Sequence, residues 1–327
     1  MPTDDAYHVA EVTDPTEWDT FAAAAVGGTP FSTAAWLDCA ARAGGGVRLL
    51  GCRRKGRLVA GVSGLEVPAR GGPQLVTPPL LPHGGFILAP PNSDRPALQE
   101  AERCGAFRAL IQFLGSEFGA VHLTHAPALA DAREFAWAGW TVRPRYTYQI
   151  DLADRQAVWD TMERRTRATI RKAGEAGFRL AAAEDDGVLR DLYQAVYERQ
   201  DGGPPVAAAA VEAVAGQARA AGLTETWAVE SPAGEPAAVV AFTRGDPCYA
   251  LIAGAAPAFR DTGATALLYW EFLQRTEARS FDFAGANMPP IALFKRGFGG
   301  TLVPYYAVDG HRGRWRRSLA ALRRAWR

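Results

Sequence analysis

Residues 226–284 read TWAVESPAGEPAAVVAFTRGDPCYALIAGAAPAFRDTGATALLYWEFLQRTEARSFDFA. Thr226–Glu230 and Ala237–Thr243 are short runs of strand-forming residues on either side of the turn Ser231-Pro232-Ala233-Gly234-Glu235. That spacing predicts a hairpin. Cys248–Ala253 predicts the next strand. Thr262–Ala278 predicts a helix with an apolar stripe from Leu267, Leu268, Trp270 and Phe272, and Ser280–Ala284 predicts a closing strand.

The same order occurs in the first half. Val47–Cys52 and Leu58–Val67 flank the polar turn Arg53–Arg57, and a strand at Gly85–Ala89 follows. A helix over about 95–118, with Phe107, Leu110, Ile111 and Leu114 inward, leads into a strand at Ala120–Thr124. The offset is about 175 residues without residue-level identity, so what repeats is architecture. Mixed sheets with flanking helices bury such a pattern, which predicts two similar α/β (α+β) domains in tandem. The join falls near Pro144, ahead of a strand at Tyr146–Leu152. Asp154 then caps one long helix running to about Gly174, and a basic helix follows Gly313.

The chain has 327 residues and a formal net charge of +1, which excludes a uniformly basic nucleic-acid coat. With 48% hydrophobic and 22% charged residues it is a folded chain. No apolar run reaches the roughly 18 residues of a membrane-spanning helix. The N-terminus carries Asp4 and Asp5 where a secretion signal carries positive charge. Cys39, Cys52, Cys104 and Cys248 stand singly, which suits a reducing cytoplasm. Only Lys55, Lys172 and Lys295 are lysines, against 33 arginines. Each lysine is therefore worth a question.

Phosphate-loop, dinucleotide-binding, zinc-protease and nucleophile-elbow motifs are absent from the sequence. His122 and His125 lie on a predicted strand, where a spacing of three points them to opposite faces, so no metal site is expected. Any enzyme here must work by positioning and electrostatics. The richest segment is Ser280–Gly300, SFDFAGANMPPIALFKRGFGG. Phe281 and Phe283 share one strand face and Asp282 takes the other. The chain then breaks at Gly285, Asn287 and Pro289-Pro290, placing Asp282 at a strand end beside a loop, where open α/β sheets hold ligands. In Phe294-Lys295-Arg296-Gly297-Phe298-Gly299-Gly300 the aromatics fix the direction of Lys295, and the glycines allow close backbone approach to a ligand.

FDFAGAN…FKRGFGG resembles the C-terminal signature of the Fem-type (FemX-like) aminoacyltransferases. Tyr148–Leu152, Trp159 and Arg167–Gly177 resemble an earlier stretch of the same family, as do Trp18, Phe31-Ser32 and Trp36. The resemblance implies two tandem GNAT-like acyltransferase domains, assigned to 1–147 and 148–310, with a C-terminal helix at 311–327 packing back on the first. It implies transfer of an amino acid from aminoacyl-tRNA to a primary amine, on a peptidoglycan precursor or a small natural product. It makes Lys295 catalytic, with Asp282 as the second catalytic candidate, to orient the amine or help shape the loop, and Phe294, Phe298, Arg199, Asn287 and Trp36 as substrate-binding candidates. No tightly bound cofactor is implied. The stretch Trp36-Leu-Asp-Cys-Ala40 lacks the lysine, and the segment after Arg199 lacks the arginine, that FemX-like enzymes use on a UDP-linked acceptor.

Arg260-Asp-Thr-Gly263-Ala-Thr265 resembles the pyrophosphate loop of GNAT enzymes, where N–H groups at a helix start hold coenzyme A. It equally suits a plain capped helix start. Arg260, Gly263 and Thr265 are thus donor-binding candidates, and acyl-CoA is the alternative donor. Arg164, Arg165, Arg167, Arg171 and Lys172 crowd one helix. Seven arginines interleave with Trp315 and Trp326 between Arg312 and Arg327. Arginine with aromatics suits phosphate contact and base stacking, making Arg167, Arg171 and Lys172 donor-side candidates. A solvated helix face or an anionic membrane surface fits the same charges. A non-catalytic scaffold of the same fold is the third reading.

Overall fold

The computed structural model describes residues 6–198 and 203–312. Two compact units divide the chain. One comprises the chain up to Arg145 and again from Pro304; the other is Tyr146–Val303. The first unit contains β1 (His8–Glu11), α1 (Pro15–Ala24), α2 (Ala34–Ala40), β2 (Gly46–Arg54), β3 (Arg57–Val67), β4 (Gln74–Val76), β5 (Gly85–Leu88), α3 (Pro96–Glu117), β6 (Ala120–Thr124) and α4 (Arg133–Trp137). Strand β7 (Thr141–Asp151) enters the second unit. There follow α5 (Arg155–Thr161), α6 (Arg164–Glu175), β8 (Arg179–Ala182), α7 (Asp186–Tyr197), α8 (Ala208–Ala220), β9 (Thr224–Glu230), β10 (Pro236–Thr243), β11 (Cys248–Ala255), α9 (Ala264–Arg275), β12 (Ser280–Asp282) and α10 (Pro289–Arg296). Strand β13 (Thr301–His311) returns the chain to the first unit.

In the first unit the sheet runs β1-β2-β3-β4-β6-β13, with β5 also on β3. The β2–β3 hairpin turns on Lys55 and Gly56, both left-handed at φ 50° and 76°, as a two-residue turn between twisted strands requires. Its core is an aromatic stack in which Phe86 meets Phe107 and Phe135 edge-on at 5.2 and 4.9 Å. The Trp18 indole N–H donates to Ser32 O at 2.7 Å, so burying that ring strands no polar group.

The second unit has the order β7-β12-β11-β10-β9-β8. The β11–β12 pair is parallel, and β7–β12, β10–β11, β9–β10 and β8–β9 are antiparallel. Phe242 of β10 stacks on Phe272 of α9 at 3.6 Å, and Phe281, Phe283 and Phe298 are fully buried beside them. The hairpin–strand–helix–strand plan is therefore present in both units, in mixed sheets with flanking helices.

The sequence expectation departs from the structure in three places. The helix predicted from Asp154 to Gly174 is two helices, broken at Met162-Glu163. The physical reason is a cap: the Arg167 guanidinium donates to the carbonyls of Trp159 and Asp160, at 3.2 and 2.9 Å, where α5 ends. The predicted break at Pro289-Pro290 instead starts α10, because a proline in the first turn of a helix sacrifices no intrahelical bond. Return to the first unit begins at Pro304, earlier than the expected C-terminal helix. That helix, expected from 311, lies outside the described residues beyond Arg312, whose N–H donates to Gly119 O at 3.1 Å. No helix among the described residues is long and apolar enough to cross a membrane.

Replacing Arg167 by Ala removes two charge-assisted bonds and leaves the end of α5 uncapped. Urea unfolding is expected to show a loss of about 1–3 kcal/mol. An unchanged midpoint would show that the guanidinium does not hold the break.

Candidate active site

Strand β12 pairs with β11 at only two positions, Cys248↔Phe281 and Tyr249↔Asp282. Strand β11 continues to Ala255 on the strength of its other edge, which stays bonded to β10 as far as Ala255↔Ala238. The sheet therefore opens where β12 ends. Past Asp282 the chain stays beside β7, with Phe283 N–H on Tyr148 O at 3.0 Å and Ala286 N–H on Tyr146 O at 2.6 Å. It turns through Ala284 at φ 57° and Gly285 at φ 117°. A left-handed alanine is strained and persists only where its surroundings fix it.

Those surroundings are specific. Asp282 is 2% exposed. Its Oδ1 accepts from Thr147 Oγ1 at 2.5 Å and from the N–H of Ala284 at 2.7 Å, and its Oδ2 accepts from Gln149 Nε2 at 2.9 Å. The Thr147 hydroxyl oxygen in turn accepts from the Gly285 N–H at 3.1 Å. From α10, Lys295 reaches back so that its Nζ donates to the carbonyls of Phe283 at 2.6 Å and Gly285 at 2.5 Å, with the ammonium 5.8 Å from the centre of the Phe283 ring. The ammonium is thus anchored at the strand end and turned away from bulk water.

Burial acts on both charges. It pushes the Lys295 ammonium down to about 8, with the nearby Asp282 carboxylate opposing. It pushes Asp282 above the ordinary carboxylate range, against the bonds from Thr147, Gln149 and Ala284 and the charge of Lys295. An ammonium has three N–H donors, and two are spent on carbonyls. One donor is left.

The other expected residues divide sharply. Phe294 is half-buried against Tyr269 and Phe298, at ring distances of 5.7 and 5.3 Å. Phe298, expected to bind substrate, is fully buried core. Asp282, expected to be catalytic, is buried and accepts from three protein donors. It holds the turn, the loop-shaping role of the two expected of it. Asn287 is exposed, and its Oδ1 accepts from the Tyr146 N–H at 2.9 Å. Trp36 belongs to the first unit's core, 2% exposed and edge-on to Phe31 at 5.2 Å, which removes it from the residues a substrate can touch. Arg199 lies outside the described residues.

The glycines of the FKRGFGG segment approach neighbouring protein, where the sequence suggested a ligand. A Cβ at Gly297 would lie 2.3 Å from Thr166 Oγ1, and one at Gly299, φ 78°, would lie 2.8 Å from Thr161 O. On the expected donor side, Gly263 caps α9 in the left-handed conformation at φ 88°. A Cβ there would come within 2.8 Å of Thr169 O, so glycine is what lets α9 start against α6. Thr262 Oγ1 accepts from the Ala264 N–H at 3.3 Å, a capping contact, while Arg260 is exposed and Thr265 partly so. On α6, Arg167 is the structural cap described above, whereas Arg171 and Lys172 are exposed. His122 bonds Asp309 at 2.7 Å, and the buried His125 accepts from the Phe86 N–H at 3.3 Å.

Sequence reasoning passed over Thr147, Gln149 and Tyr269. The first two are polar residues two apart on a strand, which puts them on one side, and that alternation was the available signal. Tyr269 of α9 lies within 5.4–5.8 Å of Phe283, Phe294 and Phe298, and burial raises its hydroxyl well above the ordinary phenol range.

Residues 161–296, which contain this strand end and both helices flanking it, match the family described as acetyltransferase (GNAT) domain. With that domain the chain is an acyltransferase by class. Over nearly its full length it has the fold of FemX, at TM-score 0.66 and 14% identity, covering 91% of this chain and 96% of that one. A tandem GNAT protein from the clavulanic acid biosynthesis pathway is similar at TM-score 0.53 and 16% identity, over 94% and 98% of the two chains. L-PGS from Bacillus licheniformis is similar at 0.51 and 12%, over 93% and 94%. At these identities the likeness is one of fold, a FemX-like tandem GNAT architecture. No curated protein sequence matches the chain.

The depressed Lys295 gives a signed prediction. In the unfolded chain a lysine titrates near 10.4. Between about 8 and 10 the unfolded state therefore binds more protons, and stability rises with pH. Relative to Lys295→Met, the wild type is expected to gain about 2 kcal/mol from pH ~7 to pH ~9.5 in denaturant titrations. Parallel pH profiles for the two proteins would refute the burial of the ammonium.

Proposed function

We propose that the chain is an N-aminoacyltransferase that moves an amino acid from aminoacyl-tRNA to a primary amine on a peptidoglycan precursor or a small natural product. The observation that carries this reading is the anchored ammonium of Lys295 at the open strand end. The attacking amine forms the new C–N bond at the ester carbonyl, and the ester C–O bond to the ribose breaks. The oxygen that carries negative charge between these events takes the remaining N–H of Lys295. A donor already fixed in place costs no reorganisation, and one such donor is commonly worth 10²–10³ in rate. The amine's proton leaves with the departing ribose hydroxyl. Asp282 serves as a positioning residue, since it fixes the turn whose carbonyls hold Lys295.

The likeness to FemX supports the aminoacyl donor, and a tRNA substrate implies a cytoplasmic site of action. The acceptor side has an apolar feature: Met288, Ile291 and Leu293, around α10, are 54%, 40% and 56% exposed. They suit an acceptor with an apolar body or one presented at a membrane surface. A second reading, acyl-CoA as donor, rests on the helix start at Gly263, where backbone N–H groups of α9 with Arg260 nearby would hold a pyrophosphate.

Incubation with charged tRNA or acetyl-CoA and a panel of amines, read by mass spectrometry, separates the two. Aminoacylated amine is the expected product, and acetylated amine alone would replace the reading with the second. Lys295→Ala is expected to lower transfer at least 100-fold with the fold retained by circular dichroism. In the wild type, transfer is expected to fall as pH rises through about 8, because the charged lysine is the active form. A Lys295→Ala protein with near-normal turnover would take this side chain out of the mechanism.

A further inference from the structure

Helices α5 and α6 enclose a surface cleft of about 540 Å³, lined by Trp159, Asp160, Arg164, Arg167, Ala168 and Arg171. Arg164, Ala168 and Arg171 fall at helical spacings of four and three, on one stripe of α6. The opposite side of the helix is committed to packing: Thr169 and Ala173 meet the backbone at Gly263, and Thr166 meets Gly297. Arg167 is occupied by the carbonyls that end α5. Arg164, Arg165, Arg171 and Lys172 have no carboxylate in ion-pair distance among the described residues. The Arg171 guanidinium instead lies over the Trp159 ring, 5.3 Å from its centroid, and Trp159 packs on Trp270 with ring centroids 4.8 Å apart.

We infer that this cleft seats a single-stranded end of RNA, with a base on the Trp159–Arg171 platform and successive phosphates along α6. The chemistry selects that ligand in three ways. A rigid indole with a guanidinium on it presents a flat, cationic face, which stacks any base. From Arg164 to Lys172 the cations run along about 12 Å of helix, which suits a chain of phosphates better than one anion. The start of α6 is also tied to the segment that carries Lys295. Glu163, one residue before Arg164, donates its N–H to Gly297 O at 2.9 Å and pairs with Arg296, the neighbour of Lys295, at 2.9 Å. The inference rests on the aminoacyl-tRNA reading and names the surface that reading needs.

The test uses an uncharged, fluorescently labelled RNA stem-loop with a short single-stranded 3′ end, followed by anisotropy across a salt series. Charge reversal at both unpaired cleft positions, Arg164→Glu with Arg171→Glu, is expected to weaken binding at least tenfold. It should also make the slope of log K against log salt shallower by about 1.4. Arg171→Lys keeps the charge, so the slope should hold while affinity falls severalfold. Trp159→Leu should abolish the preference for the single-stranded end over a blunt duplex of equal length. Melting curves on each variant confirm that the fold is retained. Wild-type affinity in the doubly reversed protein would overturn the inference. So would equal binding of polyglutamate, or a blunt duplex bound as well as the stem-loop by the wild type.

Two outcomes separate this inference from the proposed reaction. RNA bound through the cleft without any aminoacyl transfer would condemn the reaction and leave the cleft standing. Normal transfer from aminoacyl-tRNA by the doubly reversed protein would condemn the cleft and leave the reaction standing.

Discussion

The site depends on one buried ammonium shared between two carbonyls. Taking a lysine charge out of water is costly unless dipoles replace its hydration, and the carbonyls of Phe283 and Gly285 supply them. The arrangement works in both directions. Those carbonyls flank Ala284, whose left-handed backbone is unfavourable in isolation. Lys295 holds that turn from the α10 side, and Asp282 at the end of β12 and Thr147 of β7 hold its N–H groups. Neither the lysine nor the turn would keep its geometry alone.

This mutual support explains why the two charges carry opposite shifts from one cause. Burial disfavours the ionised form of each, so Asp282 moves up and Lys295 moves down, while their attraction resists both movements. The polarity of the surroundings separates their roles. Asp282 accepts from Thr147, Gln149 and Ala284 and serves as a structural acceptor. Lys295 retains one donor, beside the point where β12 ends after two pairs with β11. A group with fixed position, low hydration and an uncommitted N–H is what charge stabilisation at an acyl carbon requires.

Much of the fold was legible because it is written in local patterns. The strand Ala120–Thr124 and the hairpin around Lys55-Gly56 follow from alternation and turn chemistry alone. The helix predicted over 95–118 is observed as Pro96–Glu117 because its apolar spacing is strongly periodic. What escaped was set by partners distant in sequence. The break in the predicted 154–174 helix needs Arg167 to turn back on Trp159 and Asp160, and helical periodicity cannot show that. At the site, Lys295 and Asp282 stood out in sequence, but the hydrogen bonding of Asp282 depends on Thr147 and Gln149, 135 and 133 residues away. The glycines of FKRGFGG looked like room for a ligand. Their neighbours turn out to be Thr166 and Thr161, because only tertiary contact says what a glycine is making room for. Trp36 misled for the converse reason, since a tryptophan in a family-like motif can equally be core.

Helix α6 joins these elements mechanically. One side of it receives the left-handed Gly263 at the start of α9 and Gly297 at the end of α10, both at distances that admit no side chain. At Gly263 the near neighbours are the Thr169 methyl and carbonyl, and at Gly297 the Thr166 hydroxyl. The other side presents Arg164 and Arg171 to the cleft. The cationic side and the contact with Gly297, two residues after Lys295, thus belong to one helix.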